Sequence, residues 1–223
     1  MNLIIDKEEI RMNDEELNNR YIGEGTEGKV YSYKDEVLKI YNKYSNKDRL
    51  DEETAKVLKE IDTKRLLMPR RLIYNEDKKF IGYTMKYLNY YSLENLKRMK
   101  LTKFKNEIDL MNYDINILSK NSISIEDLNM NNIILESGIF LIDPGSYKID
   151  NSNQRELYYD NKRLLNAFVI EDLIKFLGCL SKKQLLLLKE IYQNEELITD
   201  GFPSQNISVK NYLRKVLKDK KNM

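Results

Sequence analysis

Gly23-Glu24-Gly25-Thr26-Glu27-Gly28 places three of the chain's eight glycines within six positions. Glycine allows close approaches and backbone conformations that a Cβ forbids, so the cluster marks a special backbone site. The residues on either side decide its kind. Tyr21-Ile22 leads in, Val30-Tyr31-Ser32-Tyr33 follows, Lys34-Asp35 makes a turn, and Val37-Leu38-Lys39-Ile40-Tyr41 runs on, all rich in strand formers. A dinucleotide-binding unit would need a helix opening at the third glycine, where these β-formers stand instead. Gly23 to Lys29 also has the G-x-x-x-x-G-K spacing of a phosphate loop, but Val30 occupies the place of the hydroxyl that such a loop offers to Mg²⁺. We therefore read the glycines as the turn of an antiparallel set of strands.

Outward from that hairpin, Leu50, Val57, Leu58 and Ile61 fall on one face of a helix expected from about Lys47 to Asp62. Leu72-Ile73-Tyr74, a polar turn, and Phe80 to Met85 read as a further hairpin. The amino-terminal lobe, residues 1–87, is thus expected to hold five strands and one helix. Beyond it, residues 88–223 turn helical. Ser92 to Arg98 and Thr102 to Ser119 come first, the second with Phe104, Ile108, Met111, Ile115 and Leu118 at helical spacing. Two short strands follow, at Ile133-Ile134-Leu135 and Phe140-Leu141-Ile142. Further helices are expected at Asn161 to Cys179, Ser181 to Glu196 and Ser208 to Lys220, the last two with serine caps. The fold class is α+β with two closely joined lobes.

Composition removes many functions. There is no histidine, which excludes Ser-His-Asp and Cys-His catalysis and His-ligated zinc. The single cysteine, Cys179, lies in an apolar run and is expected to be buried and inert; no intramolecular disulfide is possible. Thirty-eight Lys+Arg against thirty-six Asp+Glu leave a net charge of +2, too little for a net-charge affinity for nucleic acid or anionic membrane. The apolar runs are far too short for a membrane span, and the amino terminus lacks the basic start of a signal peptide, so a cytoplasmic location is expected. Lys210, Arg214, Lys218 and Lys221 form a basic stripe that reads as a solvated helix face. Asp160 is weighed equally as a helix cap and, with Glu156, Tyr158 and Tyr159, as part of a site for a cationic substrate.

Two further motifs give the glycine loop a context. Ile125-Glu126-Asp127-Leu128-Asn129-Met130-Asn131-Asn132 contains D-L-x-x-x-N, and after two short strands comes Asp143-Pro144-Gly145. Together with the loop, these make residues 21–146 resemble the protein-kinase-like superfamily. The resemblance implies ATP bound with Mg²⁺ between the lobes. Gly23, Gly25 and Gly28 would lie over the phosphates, Val30 against the adenine, and Lys39 on the α- and β-phosphates. Asp127 would address the substrate hydroxyl, and Asn132 and Asp143 would ligate Mg²⁺, a hard cation that prefers oxygen donors. Met85 and the backbones of Lys86 and Leu88 would border the adenine. A glutamate on the first helix should pair with Lys39. Helical geometry favours Glu53, on the inward stripe, with Glu60 as runner-up.

The chain also departs from the pattern. Ile125 stands for the usual histidine, Glu126 for arginine, Asn129 for lysine and Pro144 for phenylalanine. Lys29 or Lys148 is the candidate to replace the lost lysine charge, with nothing in the sequence to place either one there. No A-P-E motif follows Gly145, so the chain looks more like the compact RIO and aminoglycoside-phosphotransferase kinds. The expected function is phosphoryl transfer to a hydroxyl of a protein Ser or Thr. The alternatives are a small-molecule kinase and a nucleotide-binding pseudokinase that acts as an interaction protein.

Overall fold

The computed structural model describes residues 2–6, 8–12, 14–42, 49–191 and 207–221. The chain divides into two compact units, each assembled from separate stretches of sequence. The first comprises Met1–Thr63, Leu67–Leu88 and Asp143–Ile149, and the second Lys64–Leu66, Asn89–Ile142 and Asp150–Met223.

A seven-stranded antiparallel sheet forms the first unit, in the order β2-β1-β6-β7-β5-β4-β3. Its strands are β1 (Asn2–Ile5), β2 (Glu8–Arg11), β3 (Tyr21–Glu24), β4 (Gly28–Tyr33), β5 (Glu36–Tyr41), β6 (Arg71–Tyr74) and β7 (Phe80–Lys86). The expected five strands are present, and the first residues of the chain add two more as a hairpin. Leu3 and Ile5 are fully buried while Ile4 between them is only partly so, the period-two burial of a strand with one face on the core. They join Tyr31, Tyr33, Leu38 and Ile73 in a core on one sheet face, closed by Met12 and by Leu17 of the short helix α1 (Asp14–Asn19). The other face is contributed by alternate residues, Lys39 and Tyr83 among them.

Helix α2 (Glu52–Lys59) is shorter than its apolar stripe suggests, because Asp51 caps it: the carboxylate accepts from the Thr54 N–H at 2.8 Å and the Thr54 hydroxyl at 2.7 Å. The expected start near Lys47 lies partly outside the described residues.

The second unit is built on α3 (Leu101–Lys120), whose Phe104, Ile108, Met111, Ile115 and Leu118 are fully buried. Ser92 to Arg98 forms a 3-10 turn, Leu93–Arg98, rather than an α-helix. Three short strands follow: β8 (Ile123–Ile125), β9 (Ile133–Leu135) and β10 (Ile139–Leu141), with β11 (Tyr147–Ile149) belonging to the first unit.

Helix α4 (Gln154–Phe168) begins seven residues before Asn161, because Asn153 caps it by accepting from the Arg155 N–H at 2.9 Å. Asp160 is therefore inside the helix and not its cap. The helix continues through a π-helical stretch, Val169–Ile174, into α5 (Lys175–Gly178). Cys179 ends it in a left-handed conformation (φ 51°) and is exposed, not buried: the cap turns its side chain out of the apolar run. Helices α6 (Lys182–Ile191) and α7 (Val209–Lys221) complete the unit. Ser181 and Gln184 cap α6 reciprocally, Gln184 N–H to Ser181 Oγ at 3.3 Å and Ser181 N–H to Gln184 Oε1 at 2.9 Å. Glu196 lies outside the described residues. No helix among the described residues is long and apolar enough to cross a membrane.

Candidate active site

Strand register places the candidate residues of the first unit. Val30 stands opposite Lys39, Lys39 opposite Tyr83, and Val37 opposite Met85, so all five share one face of the sheet. The glycine loop closes on itself through a 2.9 Å hydrogen bond from the Gly25 N–H to the Gly28 carbonyl. Gly28 lies hard against β5: a Cβ there would be driven into the Ile40 carbonyl. At Gly23 and Gly25 the space is open, with no atom within 4 Å of where a Cβ would stand. The loop thus has one glycine fixed by packing and two facing empty space.

Lys39 is buried to 7% exposure and holds two carboxylates. Its ammonium donates to Glu27 Oε2 at 2.6 Å and to Asp143 Oδ1, across 104 residues of sequence. Asp143 has a left-handed backbone (φ 69°), a conformation that Asp tolerates better than most residues. Its carboxylate also accepts from the Gly145 N–H at 3.3 Å and lies 3.4 Å from the Tyr83 hydroxyl. Tyr83 is fully buried, and its phenol is pushed well above its ordinary pKa, first by burial and then by the charge of Asp143.

The helix carboxylate expected on Lys39 is not there. Glu53 and Glu60 are both exposed, and the acid that pairs with the lysine is Glu27, from the glycine loop itself. The stripe argument failed because it was centred on Leu50 and Val57, whereas the side that α2 buries is the one with Thr54, Ala55 and Leu58, which turns Glu53 outward.

In the second unit, Asp127 is exposed in the segment between β8 and the 3-10 turn Met130–Asn132. Asn129 organises this loop. Its Nδ2 donates to Asp127 Oδ2 at 2.6 Å, and its Oδ1 accepts from the Asn131 N–H at 3.0 Å. Asn132, half-buried, is anchored through its backbone: its N–H donates to the Asn129 carbonyl at 3.2 Å, and its carbonyl accepts from Ile142 at 2.8 Å. Asp172, on the π-helical stretch, lies close enough for its charge to be felt with that of Asp127. Burial pushes the Asp172 carboxyl up, Lys175 pulls it back, and the charges of Glu171 and Asp127 add to the rise.

Neither family models nor curated proteins match this sequence. Among solved structures, the chain is similar to the Mycobacterium tuberculosis PknI kinase domain, at 12% identity and a TM-score of 0.53, over 89% of this chain and 93% of that one. The fold is protein-kinase-like. In this kinase-like fold Met85 is buried near the end of β7, Lys86 is exposed and Leu88 is buried just beyond it. Tyr87 continues the backbone pairing by donating to the Asp35 carbonyl at 3.0 Å.

Sequence reasoning missed Glu27, Tyr83 and Asp172. Glu27 carried a signal, a negative charge inside a loop expected to face phosphates. Asp172 carried none, being one acid among many in a helical pattern.

Proposed function

We propose that the protein transfers the γ-phosphoryl group of Mg²⁺-ATP to the hydroxyl of a protein Ser or Thr. The observation that supports this most is the meeting of Lys39 and Asp143, 104 residues apart in sequence, on the sheet face that also carries Val30. The kinase-like fold makes the pairing chemically specific: a buried ammonium for the α- and β-phosphates beside a carboxylate for the metal.

The donor set fits Mg²⁺, since Asp143 and Asn132 offer only hard oxygen ligands, and the open space at Gly23 and Gly25 leaves room for phosphate oxygens near backbone N–H groups. When bound, the metal would neutralise charge on the phosphates. Of the chain's own residues, Lys39 would hold the phosphates, Val30, Met85 and the backbones of Lys86 and Leu88 the adenine, and Asp127 the acceptor hydroxyl. Asn129 keeps the Asp127 carboxylate oriented by donating to one of its oxygens. Catalysis then rests on positioning and electrostatics.

A second reading is a small-molecule kinase. The acidic surroundings of Asp127, with Glu126 beside it in sequence and the charge of Asp172 reaching it, suit a cationic acceptor.

Labelled ATP with Mg²⁺, given to the protein with cell lysate or with a panel of amine-bearing small molecules, separates the readings by where the label goes. Asp127→Asn should keep nucleotide binding and lower turnover by about 10²–10⁴-fold, while Asp143→Asn should weaken the Mg²⁺-dependent part of binding. A folded protein whose melting temperature is unmoved by saturating Mg²⁺-ATP would overturn the proposal. Binding without any transfer would leave a pseudokinase.

A further inference from the structure

We propose that Glu27 is the carboxylate that holds Lys39 in its working position, in place of a glutamate from helix α2. The inference rests on the phosphotransfer reading above and adds a positioning residue to it.

The backbone around Glu27 is pinned on both sides. Its carbonyl accepts from the Asn42 N–H at 2.9 Å, and the next residue, Gly28, begins β4 pressed against Ile40 with no room for a Cβ. The loop is closed behind it by the Gly25 to Gly28 hydrogen bond. Glu27 is therefore delivered by the β4–β5 ladder rather than by a free loop tip, and its side chain is only 15% exposed where it meets Lys39 at 2.6 Å. Helix α2 supplies no competitor. Glu53 is exposed, and Glu52 is engaged by Lys56 at 2.6 Å and by the Tyr74 hydroxyl at 3.1 Å.

Two carboxylates on one ammonium have different duties. A lysine has three N–H donors; Glu27 and Asp143 take two, which leaves one for a phosphate oxygen. If Asp143 turned to a metal ion, Glu27 would stay on the buried Lys39 ammonium and share it with the phosphates that the lysine would hold. Glu27 keeps the ammonium aimed while Asp143 is occupied. Tyr83 stands beside the pair, its hydroxyl 3.4 Å from Asp143 Oδ1 and its ring centroid 5.9 Å from the Lys39 ammonium, with the Tyr41 ring edge-on to it at 6.1 Å.

The test uses the full chain and six proteins: wild type, Glu27→Gln, Glu27→Asp, Glu53→Gln, Lys39→Met and the double variant of Glu27→Gln with Lys39→Met. Melting temperature, Mg²⁺-ATP binding, and kcat and KM for ATP are measured for each. Glu27→Gln should lower kcat/KM by about tenfold to a hundredfold, as loss of an orienting partner does elsewhere. In the Lys39→Met background the same change should have no further effect, because Glu27 acts only through the lysine. Glu27→Asp, which keeps the charge on a shorter stem, should recover part of the loss; it carries the test if the Gln variant does not fold. Tighter Mg²⁺-ATP binding or faster turnover in Glu27→Gln would overturn the proposal, since Glu27 would then be competing with the phosphates. So would equal losses in both backgrounds, or a loss that falls on Glu53→Gln instead. These results leave the phosphotransfer reading standing, whereas a wild type that binds no Mg²⁺-ATP removes that reading and this one together.

Discussion

Gly25 and Gly28 are three positions apart, yet the structure gives them different reasons for being glycine. At Gly28 the reason is packing: a Cβ would collide with the Ile40 carbonyl, so β4 would have to move away from the strand that carries Lys39. Gly28→Ala should therefore destabilise the fold by about 1–3 kcal/mol, the usual cost of overpacking. At Gly25 the added methyl meets nothing within 4 Å. Gly25→Ala should leave stability within about 0.5 kcal/mol of wild type but weaken Mg²⁺-ATP binding, by keeping phosphate oxygens from the backbone. Urea unfolding and nucleotide titration of the two variants check both halves, and equal destabilisation would refute the distinction. Residue spacing in the sequence made the glycines, Lys39 and Asp143 legible as candidates, because each belongs to a short motif. The acid on Lys39 was not legible in that way. Helical-wheel geometry favoured Glu53, but the side that α2 buries carries the small residues Thr54 and Ala55 with Leu58, to which a search for large apolar residues gives little weight.

At the scale of elements, α3 does more than fill a core. Asp114, fully buried on it, accepts from the backbone N–H groups of Lys64, Arg65 and Leu66 at 2.8, 2.6 and 2.9 Å, and so ties that short stretch into the second unit. Asp114→Asn would put an NH₂ against N–H donors and should cost about 2–3 kcal/mol, the scale of a hydrogen bond to a charged group. Burial raises the Asp114 carboxyl above its ordinary value of 3.8, against the lowering effect of its three backbone partners. In the window above 3.8 and up to the raised value, the folded chain binds more protons than the unfolded one. The Asp114 contribution to stability should therefore fall as pH rises through that window and level off above it. Urea unfolding of wild type and Asp114→Asn from about pH 4 to about pH 8 measures it; a wild-type advantage that grew with pH would contradict this sign. Apolar periodicity found α3 almost to the residue because its stripe is unbroken. The start of α4 and the exposure of Cys179 were missed for a shared reason: both are set by terminal caps, Asn153 and the left-handed Cys179 itself, where apolar patterning has no say.

For the whole molecule, the chain after Gly145 bears on regulation. Activation-loop phosphorylation works by ordering a long segment through new charge pairs with arginine. Here the path is short and already ordered: a 3-10 turn at Pro144–Ser146, β11, four residues from Asp150 to Asn153, and then α4. Asp150 accepts from the Ser152 N–H at 2.8 Å, and hydrogen bonds from Ser152 hold the Asp150 carboxyl below its ordinary pKa, so a phosphate on Ser152 would stand beside a carboxylate that is already charged. Tyr147 is buried, closed to a modifying enzyme in the folded chain. In the resemblance read from the sequence, Glu126 stands where regulated kinases carry the arginine that receives the phosphate, and a carboxylate there would repel it. The unphosphorylated chain should therefore be as active as it becomes. Phosphatase treatment, and the variants Ser146→Ala, Tyr147→Phe and Ser152→Ala, should each leave turnover within about twofold of the untreated wild type, in keeping with changes that touch no ordered charge pair. A loss of about tenfold or more on dephosphorylation, reversed by rephosphorylation within residues 146–153, would mean that a phosphate here finds a cationic partner, contrary to the acidic surroundings of Ser152 and the acid at position 126.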